Sequence, residues 1–168
     1  MPNHAWELAQ LNIGVTVAPL DSPELAGFVA ALEPINAFAD AAPGFVWRLQ
    51  DDNGDATSFR AFGAESILVN MSVWESIEAL GDFVYRSDHA QIMRQRRKWF
   101  VKLEDIITVL WWVPSGHRPS ITEAQERLVG LRTNGPGPFA FSFREPFPAP
   151  GSGSPTAAEA PDDWLCPA

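Results

Sequence analysis

The string FVYRSDHAQIMRQRRKWF, residues 83–100, places a histidine, His89, close to Phe83 and Tyr85 and just before a run of basic residues. The ordinary pKa of histidine lies nearest to physiological pH, so His89 is a candidate general acid or base. It is also a candidate axial ligand to a bound haem. The structural alternative is a histidine whose ring bonds a backbone carbonyl.

Helical spacing indicates where His89 points. Residues three, four, seven and eleven positions later share its helix face, and these are Ile92, Met93, Arg96 and Phe100. Because this face is largely apolar, we expect His89 to point inward or along the edge of a sheet. Arg96 is the basic residue nearest to that face and is a candidate for binding an anionic group. The rest of the basic run is typical of a solvated helix face.

A second histidine, His117, lies in the string WWVPSGHRP, where glycine and proline predict a turn. We interpret it as a second acid or base at the mouth of a cavity, with an ordinary surface histidine as the alternative. No second histidine has ligand spacing to His89, and Cys166 is the single cysteine. We therefore predict no metal site. Motifs for dinucleotide binding, phosphate loops, serine hydrolases and zinc proteases are missing from the sequence.

The composition excludes several classes of function. The chain has 168 residues, of which 46% are hydrophobic and 20% charged, and its net charge is −9. This size fits one domain, and the acidity argues against nucleic acid as a partner. The N-terminus does not resemble a secretory signal, and no apolar run approaches the length of a membrane helix. We predict a cytoplasmic protein with neither nucleic acid nor membrane as a partner.

The composition changes at residue 145. Residues 145–168 are rich in Pro, Gly, Ser and Ala and contain no Lys or Arg, which predicts a flexible tail. Residues 1–144 are predicted to form a single domain.

Apolar residues alternate with polar ones in the segments that we predict as strands. The main strands are predicted at 6–15, 45–50, 66–74 and 107–114, with weaker ones at 57–60 and in AFSFR. Helical spacing predicts helices that begin at Ser22–Pro23, in ESIEALGDFVYRS, in DHAQIMRQRRKWF, and at a capping box from Thr122 to Gln125. Pro34 is expected to kink the first helix or break it in two.

The order β-α-β-β-α-β followed by one more helix predicts an α+β protein. It is the ferredoxin-like, split βαβ pattern, with an antiparallel sheet, helices on one face and an extra C-terminal helix. The face that we expect the helices to leave bare carries Gln10, Asn12, Asn70, Ser72 and Trp74, with either Trp111 or Trp112. This mixture is too apolar for solvent and too polar for a dry core. We therefore expect a second subunit to cover it and to enclose a small-molecule cavity.

The strand at 45–50 leaves two alternatives, because side chains alternate between faces with a period of two. If Arg48 faces the cavity, its guanidinium is able to anchor a carboxylate or an enolate through two hydrogen bonds. If Trp47 faces the cavity, it forms part of the wall, and Arg48 is exposed or paired with an acid.

Several strings together resemble the DUF3291 family, over about residues 7–143. They include ELAQLNI, APLDSPELAGFVA, PGFVWRLQ, ILVNMSVWESIEAL and WWVPSGHRPSITEA. That family is similar to the dimeric α/β-barrel superfamily, which includes antibiotic-biosynthesis monooxygenases. The resemblance implies a dimeric α/β barrel, a homodimer, and monooxygenase-like chemistry without a cofactor or a related proton transfer such as cyclisation, isomerisation or lyase action.

We therefore hypothesise an enzyme that acts on a hydrophobic or aromatic metabolite and holds the anion formed when the substrate loses a proton. His89 would be the base, with Arg48 and Asn70 as the other catalytic residues. The candidate substrate-binding residues are Gln10, Asn12, Trp47, Ser72, Trp74, Phe83, Tyr85, Arg96, Trp111 and His117. The alternatives are a non-catalytic ligand-binding or stress-type dimer, and a haem protein that uses His89 as the axial ligand.

Overall fold

A computed structural model describes residues 4–50, 67–86, 91 and 94–152. The weak strand predicted at 57–60 and the histidine at position 89 lie outside the described residues. The described strands are β1 (Trp6–Val15), β2 (Phe45–Arg48), β3 (Ile67–Trp74) and β4 (Thr108–Pro114). They form an antiparallel sheet in the order β2-β3-β1-β4. This order confirms the predicted α+β, ferredoxin-like fold.

The described helices follow the predicted order. They are a short 3₁₀ helix (Pro23–Leu25), α1 (Ala26–Asp40), α2 (Ile77–Arg86), α3 (Arg96–Trp99) and α4 (Ile121–Asn134). The helix α1 continues through Pro34, so the alternative of two separate helices is wrong. Proline costs the helix one backbone hydrogen bond, but the buried residues Leu32, Ile35 and Ala39 on either side of it pack on the sheet and hold one continuous helix. None of the described helices has the length and apolar character needed to cross a bilayer.

The caps of two helices differ from the prediction. Ser120, with an extended backbone, precedes α4, and its Oγ accepts a hydrogen bond from the backbone N–H of Glu123 at 3.1 Å. The predicted capping box at Thr122 is therefore wrong by two residues. Ser22 precedes the 3₁₀ helix as expected, but its hydroxyl donates to the carbonyl of Pro19 and caps no backbone N–H. The helix α4 ends at Asn134, and Gly135, which has a φ of 73°, caps its C-terminus.

The helices α1 and α2 cover the polar face of the sheet. From α1, Ile35 and Ala39 pack in one cluster with Leu80 of α2 and with Leu8 and Trp74 of the sheet. The prediction that this face is bare is therefore wrong. The alternation of side chains correctly separated the two faces, but it did not indicate which face the helices would cover.

The extra helix α4 packs on the opposite, apolar face. Its residues Ala124, Leu128 and Leu131 join a buried cluster that includes Leu11 and Val109 of the sheet. Because α1 and α2 occupy the polar face, the subunit interface predicted there is wrong. The homodimer itself stays a prediction without an assigned surface.

The chain after α4 packs in the same cluster as α1 and α2, on the polar-face side of the sheet. The predicted strand AFSFR is reduced to a bridge between Phe141 and Leu110 of β4, with both backbone hydrogen bonds at 2.9 Å. The ring of Phe147 lies 6.1 Å from that of Phe141, and the Phe147 carbonyl accepts a hydrogen bond from Trp112 Nε1 at 2.9 Å. Contacts with the domain therefore extend past the predicted start of the tail at residue 145.

Candidate functional site

Four polar side chains of β1 and β3 form a connected group, which we name the amide cluster: Gln10, Asn12, Asn70 and Ser72. The antiparallel register sets Gln10 opposite Ser72, and Asn12 opposite Asn70, so all four lie on one face. Gln10 Nε2 donates to Asn70 Oδ1 at 2.6 Å and to Ser72 Oγ at 2.8 Å. Asn12 Nδ2 donates to Gln10 Oε1 at 3.0 Å and lies 3.3 Å from Asn70 Oδ1. The sequence prediction that these residues share a face is confirmed.

The amide cluster is buried between the sheet and the helices, with no member more than 8% exposed. A buried polar group destabilises a fold unless its hydrogen bonds are made, and this cluster leaves some unmade. Asn12 Oδ1 has no hydrogen-bond partner in the described part of the chain. Ser72 Oγ accepts hydrogen bonds from Gln10 Nε2 and from Trp74 Nε1, each at 2.8 Å. Neither of those two groups is able to accept the Ser72 hydroxyl proton, which is therefore available to a ligand or a water.

A small cavity of about 20 Å³ adjoins the amide cluster. Its lining residues come from both sides of the helix–sheet interface: Gln10, Asn36, Ala39, Phe45, Arg48, Asn70, Ser72, Trp74, Leu80 and Phe83. This volume holds about one water molecule. Asn12 is not among the lining residues and lies behind Gln10, so it supports the cluster without facing the cavity.

Arg48 faces this cavity because β2 contains a bulge. Phe45 pairs with Trp74 and Trp47 pairs with Val73, which leaves one extra residue on β2 between those pairs. The bulge puts both Phe45 and Arg48 on the polar face. The regular alternation predicted over 45–50 is therefore wrong at Phe45, and also at Val46, which packs with Trp47 on the apolar face. Of the two alternatives for this strand, the one with Arg48 on the cavity side is correct.

The guanidinium of Arg48 is held by Asp40 at the end of α1. Arg48 Nε donates to Asp40 Oδ1 at 2.8 Å, and Arg48 Nη2 donates to Asp40 Oδ2 at 3.3 Å. The Arg48 side chain is 11% exposed, whereas that of Asp40 is 48% exposed. The carboxylate thus orients the guanidinium from the solvent side, and the guanidinium lies at the edge of the cavity.

Aromatic rings form the apolar wall of the cavity. The ring of Phe83 stacks on that of Trp74, with centroids 5.1 Å apart and planes inclined by 29°. Phe45 meets the same indole edge-on, at 5.4 Å. Tyr85 packs instead against Phe143 at 5.8 Å and is not among the lining residues.

The remaining candidates lie elsewhere. Trp47 and Trp111 belong to the apolar face, with Trp111 fully buried there. Trp111 Nε1 donates to Glu123 Oε1 at 3.1 Å, and His117 Nε2 lies 2.7 Å from Glu123 Oε2, so both side chains belong to the α4 side of the sheet.

Arg96 begins α3 and does not line the cavity. His89, the candidate base and haem ligand, lies outside the described residues, so its role stays a prediction.

The sequence prediction missed four residues of the cavity lining: Ala39, Phe45, Leu80 and one polar residue, Asn36. It lies in α1 and is 5% exposed, on the same helix face as Leu32, Ile35 and Ala39. A polar residue at a buried position of an apolar helical face was the signal that could have identified it. Asn36 brings an amide from the helix layer toward the amides of the sheet.

The match to a family model covers residues 7–157, and the model is described as a domain of unknown function, DUF3291. The chain belongs to the DUF3291 family. Among curated proteins, the search found no match. No group of three His, Cys, Asp or Glu side chains in the described part of the chain could hold a metal ion.

Solved structures give weak matches to this DUF3291 chain. SnoaB, described as a cofactor-independent oxygenase from Streptomyces nogalater, is 15% identical, with a TM-score of 0.44, and the match covers 67% of this chain and 95% of SnoaB. NE2512, a protein of unknown function from Nitrosomonas europaea, is 14% identical, with a TM-score of 0.43 and coverages of 70% and 97%. Rv0793 from Mycobacterium tuberculosis is 12% identical, with a TM-score of 0.43 and coverages of 68% and 99%. These similarities are too low to support an argument about function.

Proposed function

We propose that this DUF3291 chain is a small-molecule enzyme that binds an aromatic metabolite and stabilises its enolate or phenolate form beside the amide cluster and Arg48. The observation that carries this proposal is a buried polar patch, walled by Phe45, Trp74 and Phe83, with a cation at its edge. Apolar walls with a few placed polar groups are typical of small-molecule sites.

The polar groups of the cavity suit an oxygen anion. The Ser72 hydroxyl has a proton to donate, and the Arg48 guanidinium supplies positive charge. Donors fixed in a site with little water stabilise a developing anion more strongly than water does. An anion held in this way requires no metal or organic cofactor for its stabilisation, in keeping with our prediction of none.

Two reaction classes use such an anion. In a monooxygenase-like reaction, the deprotonated carbon acid supplies the electrons: a CH₂ group and O₂ give a carbonyl group and one water, so one oxygen atom enters the substrate and the other leaves as water. In a cyclisation, isomerisation or lyase reaction, the same anion is reprotonated or eliminates a group, and O₂ is not consumed. His89 is the proposed base for the initial proton transfer.

Nitrophenols of graded pKa test the proposal, because ionisation changes their visible absorption. We expect the pKa of a bound nitrophenol to fall below that in water, since nearby donors and positive charge favour the ionised form. If the pKa of the bound nitrophenol equals or exceeds its value in water, the proposal is wrong. The uptake of O₂ by the protein with aromatic carbon acids then separates the two reaction classes.

A second candidate function is ligand binding without turnover. One observation favours it: Arg48 is the single ionisable side chain among the described residues that line the cavity, so none of them is a general base. A binding protein is expected to lower the pKa of bound nitrophenol without turning over any carbon acid. His89→Gln is then expected to lower that pKa as much as the wild type does. The homodimer remains part of both proposals, and light scattering at micromolar concentration is its test.

A further inference from the structure

A second, larger depression lies directly outside the small cavity. This groove of about 780 Å³ runs between the C-terminal half of α1 and the helix α2. Its lining residues are mainly small or apolar: Pro34, Ala37, Phe38, Ala41, Ala42, Pro43, Gly44, Glu75, Ala79, Asp82 and Phe83. Its volume falls within the range of small-molecule sites, whereas the inner cavity of about 20 Å³ does not.

Phe83 separates the two spaces, because it lines both the groove and the cavity. Its ring stacks on Trp74, whose indole N–H donates to Ser72 Oγ. A ring that leaves this stack would connect the groove with the amide cluster. A ligand that displaced the Phe83 ring would contact Trp74 and lie next to Ser72.

We propose that the groove and the cavity are two halves of one binding site, and that the Phe83 ring is the gate between them. This inference rests on the proposed function and adds to it a route and a substrate class. The apolar body of the ligand lies in the groove, and its hydroxyl or carbonyl group passes the gate to reach Ser72 and Asn70.

The surroundings favour a motion of the ring over a motion of the helix. The backbone N–H of Glu75 donates to the Gly44 carbonyl at 2.8 Å, which ties the end of β3 to the turn before β2. A Cβ placed on Gly44 would lie 2.5 Å from the Cβ of Ala79, so this turn and α2 are already in close contact. Because the start of α2 is held there, we place the opening in a rotation of the Phe83 side chain.

The charges of the groove narrow the class of ligand. Glu75 and Asp82 are the ionisable residues among its described lining, and both are acids. Negative charge at this rim disfavours a carboxylate or sulfonate on the outer end of the ligand. The site is therefore expected to take an apolar aromatic compound with an oxygen function at its inner end and a neutral or cationic outer end.

The test uses two matched probes, 2-naphthol and naphthalene, in titrations followed by ¹H–¹⁵N NMR. The indole N–H signal of Trp74 reports on the inner cavity, and the backbone amide signals of Ala37 and Ala41 report on the groove. We expect 2-naphthol to shift all three signals, and naphthalene to shift those of Ala37 and Ala41 alone.

A matched pair of variants tests the route. Ala37→Trp fills the groove at an exposed position of α1, and Ala30→Trp adds the same bulk at an exposed position two turns earlier, away from the groove. We expect Ala37→Trp to weaken the binding of both probes at least about tenfold, the loss of about 1.4 kcal/mol of binding free energy, and Ala30→Trp to leave it unchanged. If 2-naphthol shifts the Trp74 signal equally in wild type and Ala37→Trp, the groove is not the route, and the proposed function is untouched. If both probes shift only the groove signals, the amide cluster is not a binding site, and both the gate and the proposed function are wrong.

The gate itself is tested by rates. Phe83→Leu keeps an apolar side chain but removes the stacked ring, so 2-naphthol is expected to associate about tenfold faster, because a required conformational change slows association. The association rate of naphthalene, which stays in the groove, is expected not to change. Equal effects on both probes, or none on either, would overturn the gate. If Phe83→Leu does not fold, Phe83→Met serves in the same measurement.

The charge of the outer end is tested with 6-hydroxy-2-naphthoate. We expect it to bind more weakly than 2-naphthol, and Glu75→Gln to reduce that difference. Equal affinities of the two compounds for the wild type would overturn the proposed substrate class and leave the gate standing.

Discussion

Gln10 of β1 and Ser72 of β3 are paired on neighbouring strands, and Gln10 Nε2 donates to Ser72 Oγ at 2.8 Å on the face that two helices cover. A helix–sheet interface built only for stability would place apolar side chains there, because a hydrogen bond contributes little more than it costs to bury its groups. The network instead concentrates polar atoms beside a cavity. We interpret it as a part of the fold that is retained for binding.

The first prediction concerns the bond between Gln10 and Asn70. Asn70→Leu removes the acceptor of Gln10 Nε2 at 2.6 Å, so the free energy of unfolding is expected to fall by about 1–3 kcal/mol. The double variant Gln10→Leu with Asn70→Leu removes both partners of this bond, and also both acceptors of Asn12 Nδ2, so it is expected to lose less than the sum of the two single losses. Urea denaturation of both variants and of Gln10→Leu measures the coupling.

The same variants should separate stability from binding. In the double variant, the pKa of bound nitrophenol is expected to return to its value in water, whatever the free energy of unfolding. If the double variant loses as much free energy of unfolding as the two single variants together, the two amides do not act as a pair.

The second prediction concerns Arg48 and Asp40. Arg48→Met keeps the length and packing of the side chain but removes its charge, so nitrophenolate is expected to bind about 10–10²-fold more weakly, the loss expected for one hydrogen bond to a charged group. Asp40→Asn is the matched control. Asp40 is half exposed, so its ion pair contributes only about 0–1 kcal/mol to stability, and binding is expected to change less than threefold. Equal losses in the two variants would mean that Arg48 acts only through its ion pair.

Much of the fold follows from sequence pattern, because local patterns report local structure. The first strand was predicted at 6–15 and is observed at Trp6–Val15. The shared face of Gln10, Asn12, Asn70 and Ser72 was also predicted correctly, since the period of two fixes it once the strands are known.

The remaining errors concern properties that periodicity does not determine. Which face the helices cover depends on the crossover of α1 and α2, and this placement carries no local signal. The bulge in β2 depends on pairing with β3, and it changed the face of Phe45. His117 was grouped with the site because its loop was expected at a cavity mouth, and Trp111 because either it or Trp112 was expected on the polar face. Glu123 of α4 binds both on the other side of the sheet.

The third prediction uses two glycines. Gly44 has a φ of 81°, and a Cβ there would lie 2.5 Å from that of Ala79. Gly44→Ala is therefore expected to lower the free energy of unfolding by about 1–3 kcal/mol, through backbone strain and a steric clash. Gly81 lies within α2 and has no atom within 4 Å of an added Cβ. Gly81→Ala is expected to raise stability by about 1 kcal/mol, since alanine favours helix. A Gly44→Ala variant that is as stable to urea as the wild type, or more stable, would refute the close packing of α2 on the Gly44 turn.

The last prediction concerns the end of the domain. We predicted from composition that residues 145–168 form a flexible tail, but Phe147 packs on Phe141, and its carbonyl accepts a hydrogen bond from Trp112 Nε1. A chain that ends at Arg144 loses both contacts and leaves the indole N–H of the half-buried Trp112 without its acceptor, so the free energy of unfolding is expected to fall by about 1–3 kcal/mol.

A chain that ends at Ser152 keeps those contacts and is the matched control, expected to melt within a few degrees of the full chain. Phe147→Ala in the full chain separates the ring from the carbonyl, because the backbone acceptor for Trp112 remains. It is expected to show only part of the loss seen on truncation at Arg144. If the chains that end at Arg144 and Ser152 have equal melting temperatures, the predicted start of the tail at residue 145 is correct. A large loss on truncation at Ser152 would place further stabilising contacts in residues 153–168.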